Sequence, residues 1–241
     1  MPFLKSIYTV PELIIPNTYP FTISLFAQAM HFDFRRDVTL FVGENGSGKS
    51  TLLEAIASKC DFHTAGGGRN QRYIHHKSES PLADALRLSW SPKVTEGFFL
   101  RAESFYNFAT YLDEIAQDDL RVYDRYGGKS LHEQSHGESF LSLFVHRFTR
   151  GLFILDEPEA ALSPQRQLAF MRIIHQLTAT GRAQFIIATH SPMLLCYPGA
   201  DVVSTDGPAL KVIDYRDSEH YQLTTSFLAH PDRYFRHLFE D

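Results

Sequence analysis

Residues 43–50 read Gly43-Glu44-Asn45-Gly46-Ser47-Gly48-Lys49-Ser50, and this stretch decides the fold because it fits the pattern G-x-x-x-x-G-K-[ST] in full. The short apolar run Val38–Val42 before it predicts a buried strand. After it, apolar residues within Leu52–Ala57 recur at helical spacing. A glycine-rich loop between a strand and a helix is the arrangement in which backbone N–H groups surround a phosphate. The sequence therefore predicts a phosphate-binding loop at this point.

The residue types of this loop each have a chemical reason to be there. Glycines let the backbone turn tightly enough for successive N–H groups to face one phosphate. The Lys49 ammonium can reach the β- and γ-phosphates as a point charge, and the Ser50 hydroxyl can be a ligand of Mg²⁺. A chance match on a glycine-rich turn is the weaker interpretation, because both flanking elements are predicted. The expected nucleotide contacts are Gly43, Glu44, Asn45, Gly46, Ser47, Gly48, Lys49, Ser50 and Thr51.

A second candidate site is an acidic pair at the end of an apolar block. Leu152–Leu155 predicts a strand, and Asp156 and Glu157 follow it directly. Open α/β sheets bind their ligands at this end of their strands. Asp156 would hold Mg²⁺, directly or through water, and Glu157 would polarise the attacking water. Alone, the pair would more often be a helix N-cap, since Pro158 suits a helix start, but the phosphate loop favours the nucleotide interpretation.

A third candidate is His190, which follows another predicted strand. The apolar blocks Leu152–Leu155 and Gln184–Ala188 are separated by a predicted helix over about residues 164–178. This βαβ pattern predicts parallel strands that are buried on both faces. His190 would then stand beside the γ-phosphate as a sensor, although an isolated histidine at a strand end is more often incidental.

Length and composition are those of an ordinary globular protein. The chain has 241 residues, of which 44 % are hydrophobic and 21 % charged. No apolar run reaches the ~18 residues of a membrane span, so we expect a cytoplasmic protein without membrane insertion. The formal charge of -5 argues against a uniformly basic nucleic-acid surface. A local basic patch within Arg69–Lys77 could still touch DNA, although a solvated loop is the simpler interpretation.

Taken together, these motifs resemble one known family. The phosphate loop is followed by Ser135-His136-Gly137-Glu138-Ser139, then by Leu152–Glu157, then by Thr189-His190. This order resembles the ABC-type ATPases, and within them the small stand-alone, AAA-labelled ATPases of the branch that includes RecF, OLD and SMC-like proteins. The resemblance implies an α/β P-loop NTPase fold with a mostly parallel central sheet flanked by helices. It also implies one domain over residues 1–241, with a small helical signature lobe at about residues 104–150.

The same resemblance implies roles for three further residues. In that family two ATPase domains pair head to tail, so Ser135 and Gly137 would contact the γ-phosphate bound by the other subunit. The alternative interpretation is structural, in which Ser-His-Gly is only a helix N-cap. No transporter-type Q-loop is present, and Glu103, within Phe98–Ser104, resembles the residue that takes the place of its glutamine near Mg²⁺. Gln71 is a weaker candidate for that position.

The expected activity is hydrolysis of ATP with Mg²⁺, with Lys49, Glu157 and His190 as the catalytic residues. The first hypothesis is an ATP-dependent homodimer that switches a DNA or effector partner, in DNA processing or defence. The alternative is the nucleotide-binding subunit of a membrane ABC transporter. Against that alternative stand the missing Q-loop glutamine and Ser163, at a position where transporters carry aspartate. A kinase that passes the γ-phosphate to a small molecule is the weakest hypothesis.

Overall fold

The computed structural model describes residues 1–63, 80–133, 136–147 and 149–239. The predicted basic patch, Gln71 and Ser135 lie outside these residues. The strands of the described part are β1 (Leu4–Thr9), β2 (His31–Asp33), β3 (Val38–Val42), β4 (Leu86–Trp90), β5 (Gly97–Arg101), β6 (Gly151–Asp156), β7 (Ala183–Ala188), β8 (Asp201–Ser204) and β9 (Lys211–Ile213). The helices are α1 (Lys49–Lys59), α2 (Pro81–Ala85), α3 (Phe105–Ala116), α4 (His136–Arg147), α5 (Pro164–Ala179), α6 (Pro192–Leu195), α7 (Glu219–Ala229) and α8 (Pro231–Phe239).

The central sheet has six strands in the order β5-β6-β7-β3-β8-β9. Its first five strands run parallel, and β9 pairs with β8 in the antiparallel direction at the edge. Strands β6 and β7 are the two halves of the predicted βαβ unit, with α5 between them in the chain. The prediction of an α/β fold with a mostly parallel sheet is confirmed.

Both faces of this sheet are covered, in keeping with central strands that are mostly apolar. Every residue of β3, β6 and β7 is buried. On one face, Phe153 and Leu155 belong to a cluster that also contains buried residues of α3, α4 and α5. On the other face, Leu152 and Ile154 share a cluster with α1 and the N-terminal strands. The sheet is therefore packed on both faces, so functional side chains can lie only at the ends of its strands.

A second, three-stranded antiparallel sheet with the order β2-β1-β4 covers the α1 side. Its link to the central sheet is Gln184 of β7, whose side chain is fully buried. The Gln184 Oε1 atom accepts hydrogen bonds from the N–H groups of Phe3 and Leu4, both at 2.9 Å. The Gln184 amide donates to the Leu4 carbonyl at 3.1 Å. One side chain thus satisfies three backbone groups of the N-terminal segment.

We expect Gln184→Leu to destabilise the protein strongly. Each buried polar group left without a partner costs roughly 1–3 kcal/mol, and the change removes the partner of three such groups. Urea unfolding followed by circular dichroism would measure the loss. The control Gln165→Leu, at an exposed position of α5, should stay within about 0.5 kcal/mol of the wild type. Equal stabilities for the two variants would contradict the proposed link.

Helices α3 and α4 precede β6 in the chain, within the region that the sequence predicts as a helical lobe. Their buried faces carry a group of aromatic rings, in which the centroids of Phe105 and Phe140 lie 5.1 Å apart and those of Phe140 and Phe144 lie 5.0 Å apart. Helix α4 begins at His136, and its Val145 is 57 % exposed, whereas Phe140 and Phe144 are buried. None of the described helices is long and apolar enough to cross a membrane.

Candidate nucleotide site

The loop after β3 turns into α1 through Gly48, which has a φ of 101°. This left-handed conformation favours glycine. A Cβ atom at this position would also lie 2.8 Å from the ring of Phe26, so two independent constraints exclude a larger residue. Helix α1 begins at the next residue, Lys49, and its first N–H groups have no partner within the helix. The predicted phosphate loop therefore has the backbone that an anion site needs.

The turn after β8 supports the loop from behind, a feature the sequence did not reveal. The Asp206 carboxylate accepts a hydrogen bond from the Glu44 N–H at 2.8 Å. The hydroxyls of Ser47 and Thr205 lie 2.6 Å apart. A Cβ atom at Gly43 would collide with the Thr205 hydroxyl, so glycine is needed where these two segments pack together. Because β3 and β8 are neighbours in the sheet, this support becomes visible only once the fold is known.

Lys49 is held inside the loop. Its Nζ atom donates to the carbonyl oxygens of Gly43 at 2.7 Å and Glu44 at 3.0 Å, and the residue is only 4 % exposed. Burial lowers the pKa of the Lys49 ammonium, and the nearby carboxylate of Glu157 opposes that shift more than any other charge. The ammonium therefore lies between the loop and the acidic strand end, where a triphosphate would bring negative charge.

Asp156, which is 3 % exposed, uses both of its carboxylate oxygens. The Ser50 hydroxyl donates to Oδ1 at 3.1 Å, and Arg101 Nε donates to Oδ2 at 2.9 Å. Arg101 also pairs with Glu54 of α1 at 2.6 Å. Burial would lower the pKa of Arg101, but the carboxylates of Glu54 and Asp156 outweigh it and raise that pKa. The guanidinium thus stabilises a buried carboxylate that would otherwise be costly.

Two oxygen donors of this site fit a magnesium ion. Ser50 and Asp156 offer a hydroxyl and a carboxylate side by side, and Mg²⁺ usually takes one or two such protein ligands together with phosphate oxygens and water. Within the described ranges, no group of three or more His, Cys, Asp and Glu residues could hold a metal. Glu103 is exposed in the turn after β5, where its charge acts on Arg101. Its role as a magnesium ligand stays a prediction.

Glu157 stands directly after β6 with a φ of 52° and a ψ of 51°. A left-handed conformation is uncommon for a residue with a side chain and often marks a functional position. Glu157 occupies the N-cap of the 3-10 turn Pro158–Ala161, but its side chain makes no capping hydrogen bond. Instead the carboxylate is 40 % exposed and lies 3.3 Å from His190 Nε2. The geometry therefore favours a chemical role over the helix-cap interpretation.

His190 is fixed from three sides at the end of β7. Its backbone N–H donates to Glu159 Oε1 at 2.6 Å, and its Nδ1 atom lies 2.7 Å from Nε2 of His220. Burial lowers the pKa of the His190 imidazole, and the charge of Lys49 lowers it further. Both effects favour the neutral form of the His190 ring, and its Nε2 atom lies 3.3 Å from Glu157 Oε1. No sequence motif predicts the contacts of His190 with His220 and Glu159.

Glu159 gives a pH-dependent prediction, because burial raises its pKa above the usual 4.5, and Glu157 adds to that shift. A carboxyl group whose pKa is higher in the folded protein than in the unfolded chain stabilises the fold at pH values below its unfolded-state pKa. This contribution is lost as pH rises through the folded-state pKa. Relative to the wild type, Glu159→Gln should therefore gain melting temperature as pH rises from 4.5, since glutamine keeps an acceptor for the His190 N–H. Thermal unfolding over that pH range measures the difference. The exposed control Glu133→Gln should show a much flatter difference, and a Glu159→Gln difference that falls with pH would contradict the account.

Thr51 ends the predicted nucleotide contacts, and its hydroxyl lies 3.0 Å from the hydroxyl of Tyr19. Tyr19 is 64 % exposed and stands beside the loop, so it is available to a base or ribose. Phe32 and Phe34, two aromatic residues upstream of the loop, are buried and lie T-shaped against each other. Neither ring is available for stacking on adenine.

The strand ends of β3, β6 and β7 thus collect most of the predicted catalytic and metal residues into one group. That group contains Lys49, Ser50, Asp156, Glu157 and His190, joined by the contacts described above. Gly137 lies in the first turn of α4. Ser135 lies outside the described residues.

Comparison with known proteins places this site in a family. Residues 71–195, more than half of the chain, match the family described as "AAA domain, putative AbiEii toxin, Type IV TA system". Residues 22–86 match a second family described as "AAA domain".

Curated relatives include the petrobactin import ATP-binding protein FpuD of Bacillus anthracis, 22 % identical over 184 residues that cover 70 % of this chain and 67 % of FpuD. The ribose import ATP-binding protein RbsA 2 of Escherichia coli O157:H7 is 26 % identical over 189 residues. That match covers 70 % of this chain but only 36 % of RbsA 2, so the chain spans about a third of that relative.

Among solved structures, cbiO1 from Clostridium perfringens, described as part of the ABC transporter complex cbiONQ, matches with a TM-score of 0.51 and 18 % identity. The match covers 99 % of this chain and 100 % of cbiO1. At this identity the likeness shows the fold alone, which is that of an ABC-type ATPase domain.

Proposed function

The chain belongs to this AAA domain family and is an ABC-type P-loop ATPase, and on that premise we propose that it acts as an ATP-driven dimerisation switch. Two copies would close on bound ATP and separate after its hydrolysis. The observation that carries the proposal is the meeting of an ammonium, a hydroxyl, two carboxylates and an imidazole beside one phosphate loop. These groups belong to Lys49, Ser50, Asp156, Glu157 and His190.

Each of these groups has a part in attack by water. Lys49 and the N–H groups at the start of α1 would bind the phosphates. Ser50 and Asp156 would hold Mg²⁺, which neutralises phosphate charge when it is bound. Glu157 would orient the water and take its proton, since its carboxylate is exposed at the strand end and makes no capping bond. His190 would donate from Nε2 to an oxygen of the γ-phosphate.

Dimer closure would complete the site in trans. By the resemblance of Ser135-His136-Gly137 to the ABC signature, Ser135 and Gly137 of one copy would contact the γ-phosphate held by the other. The start of α4 supports this role, because helix N-termini attract anions and Gly137 lies in the first turn.

The dependence of activity on protein concentration tests this arrangement. We expect phosphate release per mole of wild-type chain to rise with chain concentration, because the active form is a dimer. Ser135→Arg should remove that rise by blocking closure, while ATP binding to the separate copies persists. The control Ser89→Arg, at an exposed position of β4, should behave like the wild type. Specific activity independent of concentration, in a chain that stays monomeric, would contradict the proposal.

A second candidate function is the nucleotide-binding subunit of a membrane transporter. The observation that favours it is the group of curated relatives, whose names describe ATP-binding proteins for petrobactin and ribose import. The missing Q-loop glutamine and Ser163 argue against it. Stable co-purification with a hydrophobic subunit from membranes would support the transporter, and phosphate release by the isolated chain favours the switch.

For the partner of the switch, we propose DNA or an effector protein in processing or defence. The family's description names a toxin of a type IV toxin–antitoxin system, which supports a defence role. Retention of a short duplex only with ATP, weakened by salt, would support DNA. No retention at low salt would leave the effector protein as the partner to isolate.

A further inference from the structure

The contact between His190 and His220 joins the candidate γ-phosphate sensor to the C-terminal helices. His220 lies in the first turn of α7, whose N-cap Ser218 is buried and accepts from the Tyr221 N–H. The two imidazole rings lie with centroids 4.7 Å apart and their planes tilted by 49°. The Nδ1 atom of His190 and the Nε2 atom of His220 are 2.7 Å apart, which is hydrogen-bonding distance.

One proton must lie between these two nitrogens. Two unprotonated nitrogens at this distance would set lone pair against lone pair, and two protonated ones would clash, so one ring donates and the other accepts. Which ring donates decides the tautomer of both. In a neutral ring, the role of Nδ1 in this contact therefore decides whether Nε2, on the opposite side of His190, carries a proton.

The opposite side of the His190 ring faces the carboxylate of Glu157, which can only accept hydrogen bonds. The Nε2 atom of His190 is buried, has no aligned hydrogen-bond partner among the described residues, and lies 3.3 Å from Glu157 Oε1. A carboxylate oxygen and a phosphate oxygen both accept hydrogen bonds, so Nε2 must carry a proton to form a hydrogen bond with either of them. In a neutral ring, Nδ1 must then accept.

We propose that His220 is a positioning residue, which donates from Nε2 to His190 Nδ1 and thereby holds His190 in the tautomer that presents Nε2–H to Glu157 and the γ-phosphate. The proposal rests on the proposed function for its catalytic consequence. It also connects α7 with the candidate nucleotide site through His190, because loss of the His220 contact would release the His190 ring. A simple packing role for His220 would need no donor at this position.

Two substitutions separate donation from packing. His220→Gln keeps a donor, since its amide nitrogen can take the place of Nε2, whereas His220→Leu fills similar space without one. We expect His220→Leu to lower kcat for ATP hydrolysis by about tenfold, as expected for one lost hydrogen bond in a transition state, with the KM for ATP nearly unchanged. His220→Gln should restore most of the rate. The control His230→Leu, exposed at the end of α7, should leave kcat unchanged.

Nitrogen NMR of ¹⁵N-histidine-labelled protein tests the tautomer without any turnover. We expect the wild-type His190 ring, assigned with His190→Gln, to be protonated on Nε2 alone, and His220→Leu to show a mixture of both tautomers. Protonation of wild-type His190 on Nδ1, or the same spectrum in His220→Leu, would overturn the proposal, as would equal kcat losses in the Gln and Leu variants. If the wild type hydrolyses no ATP, the proposed function fails while the spectra still decide the tautomer.

Discussion

Replacement of Lys49 by alanine should weaken ATP binding by about thirtyfold to several-thousandfold, because truncation of one partner in a buried, hydrogen-bonded charge contact costs about 2–5 kcal/mol. The ammonium is held by the carbonyl oxygens of Gly43 and Glu44, at the point where the loop faces the acidic strand end. Without it, the charges of Glu157 and Asp206 would repel the triphosphate. Titration calorimetry with Mg-ATP measures the change.

The control for this experiment is Lys59→Ala, at the exposed far end of the same helix. Lys59→Ala removes the same single positive charge, but Lys59 contacts no loop carbonyl in the described structure. The affinity of this variant for ATP should therefore stay within about threefold of the wild type. Equal affinities for Lys49→Ala and the wild type would refute the role of the loop.

The second large effect is expected at Glu157. Glu157→Gln should keep ATP affinity within a few-fold while slowing hydrolysis by about 10²–10⁴, because the amide cannot take a proton from water. The side chain makes no capping bond, so its replacement by an amide of the same shape should not disturb the 3-10 turn. Phosphate release under saturating Mg-ATP measures the rate, with the exposed Glu12→Gln as the control. Normal turnover by Glu157→Gln would mean that another group is the base.

The parts of the site that lie within one local motif were readable from the sequence. The phosphate loop sits between β3 and α1 as predicted, and Asp156 closes β6 as predicted. These elements are strongly apolar or have fixed glycine spacing, so local pattern and tertiary structure agree. The small sheet β2-β1-β4 was not predicted, because β2 has only three residues and β1 is only partly buried.

Contacts between distant segments could not be predicted. Arg101 meets Asp156 because the parallel register of β5 and β6 pairs these two positions, and a sequence without that register shows only an arginine before Glu103. His220 reaches His190 because α7 packs near α6, across 30 residues of chain. The sequence does not show which aromatic residue upstream of the loop could meet a nucleotide, because the fold buries Phe32 and leaves Tyr19 exposed beside Thr51.

ATP-dependent dimerisation is the central claim, and size-exclusion chromatography with light scattering of Glu157→Gln tests it most directly. Because this variant should bind ATP without hydrolysing it, the closed form should accumulate. We predict a mass of about twice 27.5 kDa with Mg-ATP, and a mass of one chain with Mg-ADP or without nucleotide. A single-chain mass in saturating Mg-ATP, with binding verified by calorimetry, would contradict the switch and the in-trans role of Ser135.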